Sequence, residues 1–238
     1  METVDVLTIA AHPDDVELTC GGTLLKMVDQ GYSVGILDLT EGEMGTRGTP
    51  EIRAAEAEAA RIVLGARFRT RMNLGDSQLT TSIENRLAVA QQIRYRRPRT
   101  VILPYWDGRH PDHYTTATLG YEACYAAGLK KVDLEGEPHR PHKILYSTIF
   151  WDVPPSFAVD ISPYFEKKLE AVNCFASQFH GDLTEIEQLF PAWTRLTDRV
   201  RTECRYYGHQ LGVEYAEPYV VKELVAIDDV VEMPVASI

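Results

Sequence analysis

Short apolar runs that alternate with longer stretches of helical pattern constrain the fold of this chain more than any other feature of its sequence. Val4–Ala11 (VDVLTIAA) is almost continuously apolar and stops at His12-Pro13, which predicts a strand buried on both faces. A helix is expected over Gly22–Gln30, closed by Gly31, and a second buried strand over Ser33–Leu39. After the polar loop Glu41–Pro50, the alanine-rich Pro50–Leu64 predicts a helix with proline at its start and Gly65 past its end. The pattern then repeats, with strands at Ala66–Leu74 and Thr100–Pro104 and helices at Ile83–Arg96 and Pro111–Ala127. Such alternation predicts an α/β fold, a Rossmann-like three-layer sandwich around a mostly parallel sheet. Strand character returns at Lys143–Trp151 and Phe157–Ile161, and helical character near Pro163–Ala176 and over Glu185–Tyr207. No repeat or low-complexity stretch divides the 238 residues, so a single domain, 1–238, is expected.

Charge removes two classes of partner. The 24 lysines and arginines stand against 35 aspartates and glutamates, a net charge of -11, so the average surface repels phosphate backbones and anionic lipid. No nucleic acid and no membrane are expected as partners. No apolar run approaches the roughly 18 residues of a spanning helix, and acids stand near the N-terminus where a signal peptide carries lysine or arginine. The expectation is a soluble cytoplasmic protein. Cys20, Cys124, Cys174 and Cys204 form no CxxC pair, a pattern of buried thiols in a reducing compartment. In the third strand Arg67, Arg69 and Arg71 alternate with packing residues, as on an edge strand protected by charge or at a subunit contact.

Two segments carry chemistry, and each directly follows a predicted strand. Ala11-His12-Pro13-Asp14-Asp15-Val16-Glu17 follows the first, and Arg109-His110-Pro111-Asp112-His113 follows the fourth. In a doubly wound sheet of order 3-2-1-4-5, those strands flank the reversal point, and ligands bind beyond their carboxyl ends. The crevice would then hold several imidazoles and carboxylates, the mixed nitrogen and oxygen donor set of a catalytic zinc or a related divalent ion. His12 and Asp15 are close enough across a turn to share an ion, with His113 on the opposite wall. Asp14 is left free to take a proton from a bound water. Glu17 is expected to support a ligand histidine or to favour the dipole of the following helix. His139, His142, His180 and His209 have no comparable neighbours.

These strings resemble the PIG-L or LmbE-like N-acetylglucosaminyl deacetylases, whose hallmarks are AHPDDxE after the first strand and HPDH after the fourth. The likeness extends over almost the whole chain, and DLTEGEMGTRGTPEIRAAEAEAA and GVEYAEPY resemble the branch that makes bacillithiol by deacetylating N-acetylglucosaminyl malate. The resemblance implies that His12, Asp15 and His113 ligate Zn2+, Asp14 is the general base, His110 polarises the amide oxygen and Asp112 orients a catalytic histidine. It also implies substrate contacts from Arg53 and from Arg140, a cation suited to a dicarboxylate aglycone, and a homo-oligomer, often a hexamer. Asp76 could bond sugar hydroxyls or simply serve a turn. Fe2+, Co2+ or Mn2+ could fill the same ligand set. RMNLGDSQLTT is shorter than the expected sugar-contacting loop, and YAEPY has proline where relatives often have glycine.

Other readings compete. A Rossmann-like nucleotide-binding module fits the alternation, but the first strand runs into AAHPDDVELTCGG without GxGxxG, and acids there would repel a pyrophosphate. A non-catalytic metal protein would need a fourth ligand, for which Glu41 or Glu43 is placed on the loop after the second strand. Within the enzyme reading, an amidase of thiol S-conjugates or a deacetylase of another N-acetylated sugar such as chitobiose shares the same metal chemistry.

Overall fold

The computed structural model describes residues 2–179 and 196–235. Its elements run β1 (Val6–Ala10), α1 (Asp15–Thr19), α2 (Gly21–Asp29), β2 (Val34–Asp38), α3 (Pro50–Leu64), β3 (Phe68–Arg71), α4 (Ile83–Arg96), β4 (Thr100–Pro104) and α5 (Pro111–Ala127). Then follow β5 (Lys143–Ser147), β6 (Phe157–Asp160), a 3-10 turn (Ser162–Tyr164), α6 (Phe165–Asn173), α7 (Ala176–Phe179), α8 (Leu196–Leu211) and β7 (Ala216–Val220). They build one seven-stranded sheet of order β3-β2-β1-β4-β5-β7-β6, in which β1 to β5 are parallel and β7 runs antiparallel to both neighbours. The reversal point expected between the first and fourth strands is present: β1 pairs with β2 from Val6↔Val34 to Ala10↔Asp38, and with β4 from Val6↔Thr100 to Thr8↔Ile102.

Alternate side chains of the central strands enter two separate cores. Leu7, Ile9, Leu37, Val101 and Leu103 pack against Val89 and Ile93 of α4 and Leu119 and Ala123 of α5. Val6, Ala10, Ile36 and Ile102 pack on the other face against Val16, Leu24, Leu64 and Ala171. Each fully buried leucine or isoleucine contributes about 1.5–3 kcal/mol, so both helical layers are pressed onto the sheet. At Gly120 a Cβ would lie 2.5 Å from Leu103 Cδ2, and the missing side chain lets α5 close onto β4. That contact fixes the helix whose first turn carries His113.

Local signals set the helix ends. Thr49 caps α3 by accepting from the Ile52 amide at 3.3 Å, Pro50 opens it, and Gly65 ends it at φ 70°. Ser82 caps α4 in the same way through the Asn85 amide at 3.2 Å. Of the helix expected over Glu185–Tyr207, residues 185–195 lie outside the described residues. The described part runs on to Leu211.

Three features differ from expectation. The helix expected from Gly22 is preceded by a separate single-turn helix, α1, which begins inside the first motif. The segment YAEPY contributes a strand, β7, although Pro218 argues against one. The ladder with β5 joins only Tyr146↔Val220 and Ser147↔Tyr219; beyond it the Pro218 carbonyl still accepts from the Thr148 amide at 3.3 Å, and the proline has no amide to return that bond, so the ladder stops there. Finally, β3 is an edge strand with Arg67 exposed, yet the Arg69 side chain is only 3% exposed because it lies between two carboxylates.

Candidate active site

The carboxyl ends of β1 and β4 bring both motifs into one crevice. Leaving β1, the chain turns at Asp14 with φ 125° and ψ -25°, a backbone conformation that costs a non-glycine residue about 1–3 kcal/mol. Three contacts hold this turn. The Asp15 carboxylate accepts from the His12 amide at 2.9 Å, the Leu18 amide donates to the Asp14 carbonyl at 3.1 Å, and Arg53 donates to the Pro13 carbonyl at 2.6 Å.

His12 lies at the centre. Its Nε2 faces Asp112 Oδ2 and Asp76 Oδ1, each at 3.2 Å, while its Nδ1 lies 3.5 Å from Asp15 Oδ2. Asp15 turns its other oxygen to His113 Nε2 at 3.1 Å. The three imidazoles cluster, with His110 4.8 Å and His113 5.4 Å from His12 between ring centroids. Burial disfavours a charged His12, but hydrogen bonds to Asp112, Asp15 and Asp76 outweigh it and push the imidazole up to about 12. The crevice therefore attracts positive charge strongly.

His110 is arranged differently. Its Nδ1 accepts from the Asp112 amide at 3.3 Å and so caps α5. Burial, followed by the two neighbouring imidazoles, lowers its pKa. This leaves a neutral ring with its proton on Nε2, and the positive end of the α5 dipole acts in the same direction. The Asp112 carboxylate supports His12 and accepts from the Ser77 amide at 2.7 Å.

Asp14 meets Arg53 at 3.1 Å. Burial raises its carboxyl to about 7, against the pull of that guanidinium. Arg53 also donates to the Gly42 carbonyl at 3.0 Å, and a Cβ at Gly42, where φ is 69°, would collide with the guanidinium. Arg53, expected as a substrate contact, is buried in the crevice wall and clamps the turn and Asp14. Asp76 accepts from the Met44 amide at 3.0 Å, and Glu43 accepts from the Asp76 amide at 2.7 Å, so the loops after β2 and β3 are stitched together over His12. The two loop glutamates are engaged elsewhere: Glu43 also accepts from the Glu41 amide, and Glu41 faces Arg71 at 3.7 Å; neither belongs to the His/Asp donor clusters found among the described residues.

Arg140 and Glu17 are placed away from the roles at the crevice that the sequence offered them, although Glu17 keeps its place in the first turn of α1. Arg140 donates to the Tyr125 carbonyl at 3.3 Å and lies over the Tyr125 ring, at the C-terminal end of α5. His113 is in the first turn of that 17-residue helix, which spans about 25 Å, so Arg140 is remote from the crevice. Glu17 touches no ligand histidine among its described contacts and instead pairs with Arg69 at 2.6 Å. A contact with a partner 52 positions away leaves no local signature in the sequence.

The donor chemistry fits a divalent ion. Ligand atoms of His12, His110 and His113 lie within 4.8 Å of one another, as do those of His12, Asp76 and Asp112, and Asp15 touches two of the three imidazoles. With Nε2 of His12 held by carboxylates, its Nδ1 is the nitrogen available to a cation.

Residues 7–124 match the family described as GlcNAc-PI de-N-acetylase, PIG-L. The diacetylchitobiose deacetylase of Thermococcus kodakarensis is 34% identical over 227 residues, covering 89% of this chain and 80% of that protein. The chain belongs to the PIG-L family. The family description and this relative are both of deacetylases, hydrolases of N-acetyl amides, and the chain is an enzyme of that type. A probable N-acetyl-alpha-D-glucosaminyl L-malate deacetylase of Bacillus anthracis is 28% identical, over 77% of this chain and 85% of that one. Among solved structures, a conserved protein of Thermus thermophilus superposes with a TM-score of 0.85 at 39% identity, covering 95% of this PIG-L chain and 98% of its own.

Proposed function

We propose that this chain removes the N-acetyl group from an N-acetylglucosamine glycoside, releasing acetate, with a zinc ion held by His12, Asp15 and His113. The observation that carries the reading is the convergence of a buried base, Asp14, on the same crevice as these three donors and the His110 N–H. A bound divalent cation would polarise the amide carbonyl and acidify the attacking water. Asp14, whose carboxyl titrates near neutral pH, takes the proton of that water and passes it to the departing amine. Arg53 keeps the Asp14 carboxylate turned into the crevice. His110 donates from Nε2 to the oxygen as it gains negative charge, a contact that is strongest in the transition state. Asp112 and Asp76 hold the His12 ring and fix its tautomer.

The aglycone separates two members of this substrate class. A dicarboxylate such as malate calls for a cation at the crevice, and Arg140, the residue expected to supply it, is at the far end of α5. A sugar aglycone is the first reading, supported by the likeness to a diacetylchitobiose deacetylase. N-acetylglucosaminyl malate is the second reading, supported by the Bacillus relative. The test is acetate release by protein stripped with chelator and given back one equivalent of zinc, on diacetylchitobiose, N-acetylglucosaminyl malate and free N-acetylglucosamine. Zinc-dependent release from the disaccharide above the other two is expected. Preference for the malate glycoside would select the second reading, and no zinc-dependent release from any of them would overturn the proposal.

A further inference from the structure

Helix α1 holds Asp15 at its first position and follows directly on Asp14, yet it is only five residues long. One isolated turn of helix has no stability of its own in water. Its position has to come from what it touches. At its ends the helix is held by backbone groups: Arg53 bonds the Pro13 carbonyl before it, Lys168 bonds the Leu18 carbonyl at 2.9 Å, and Ser147 bonds the Thr19 carbonyl at 2.9 Å. In the middle, the tie is made by side chains. Glu17 Oε1 accepts from Arg69 Nη1 at 2.6 Å.

Arg69 is itself fixed. Its Nε and Nη2 make a two-pronged contact with Asp38, at 2.6 and 3.0 Å, at the end of β2. The carboxylates of Glu17 and Asp38 are fully buried. Glu17 Oε2 has no hydrogen-bond partner among the described residues, so the Arg69 bond through Oε1 carries the whole side-chain tie. The link therefore runs from the sheet, through Asp38 and Arg69, to the residue two positions after Asp15.

We infer that Glu17 and Arg69 are positioning residues for the metal-binding and proton-transferring groups, setting the height of α1 above the sheet and with it the separation of Asp15 from His12 and His113. The inference rests on the deacetylase reading for the roles of Asp14 and Asp15, but its test is a binding measurement. Functional geometry has to be held to about 0.5 Å, and supporting groups around a metal typically change affinity or activity about 10–100-fold when altered.

The decisive variant is Glu17→Gln, which keeps the shape and removes the charge that draws Arg69. Arg69→Met would leave two buried carboxylates facing each other and is the harsher substitution. Zinc affinity is measured by competition with a chelating dye, and the cobalt-substituted protein is followed by its visible absorption. Val89→Ala, a cavity in the opposite core, is the control for loss of stability as such. Glu17→Gln is expected to bind zinc about 10–100-fold more weakly and to shift the cobalt spectrum, while Val89→Ala binds as the unaltered protein does. Unchanged affinity and an unchanged spectrum in Glu17→Gln would overturn the inference, as would an equal loss in Val89→Ala. A wild-type protein that binds zinc but releases no acetate would sink the deacetylase reading and leave this result standing.

Discussion

Asp112 Oδ2 lies 3.2 Å from His12 Nε2, a contact between residues 100 positions apart that closes the crevice from one wall to the other. It decides which nitrogen of His12 carries the proton, and so which nitrogen faces a metal. Asp112→Asn is expected to weaken zinc binding about 10–100-fold, because an amide oxygen is a poorer acceptor and its NH2 end would present a donor to a donor. Equilibrium competition with a chelator measures this directly, and undiminished affinity would remove Asp112 from the support of His12.

Asp14→Asn separates binding from turnover. The amide oxygen can still accept from Arg53, and none of the three proposed ligands is touched. Zinc should be retained while kcat falls about 10²–10⁴-fold, the range that a positioned general base supplies. Metal content and acetate release measured on one preparation check both halves, and turnover at the wild-type rate would exclude Asp14 as the base.

Arg140→Ala should leave kcat and KM as they are for every substrate, since its guanidinium lies over Tyr125 and not at the crevice. A raised KM at unchanged kcat would instead show that an Arg140 of another copy enters the site.

The pair Lys168 and Glu217 is wholly buried, with Nζ and Oε1 at 2.6 Å, and Glu217 also accepts from the Gly22 and Thr23 amides at the start of α2. Removing the cation alone by Lys168→Met should destabilise the fold by about 3–5 kcal/mol, because a buried carboxylate loses its partner. Adding Glu217→Gln should recover a large part of that loss, since the neutral amide still accepts from α2. Urea unfolding of the single and double variants decides it. Additive losses would mean that the two groups do not interact as an ion pair.

How much of this is legible in the sequence depends on the range of each interaction. Strand and helix periods are local, so Pro50–Leu64, Ile83–Arg96, Thr100–Pro104 and Pro111–Ala127 stand in the structure at the bounds that period, proline and glycine imply. The meeting of the two histidine motifs is legible for a different reason: the right-handed βαβ rule and the strand order leave few places for the ends of β1 and β4 to go. What stays hidden is pairing between buried charges. Nothing near Arg69 announces Asp38 and Glu17, nothing near Arg53 announces Asp14, and Glu217 is masked by the proline beside it.

The placement of β1 inside the sheet, between β2 and β4, also orders events in time. It leaves the ribosome well before its partner on the metal side, β4, which begins only at Thr100. A nascent chain that ends before that residue holds His12, Asp14 and Asp15 and lacks the opposite wall, so it offers an ion no more than two of the three proposed ligands. With the proposed ligands, metal capture on the synthesising chain would wait for a long-range pairing step, and such pairings are slow because loop closure precedes any gain from contact. Zinc would then lock in a sheet that is already correctly threaded, rewarding the finished topology over any half-made one.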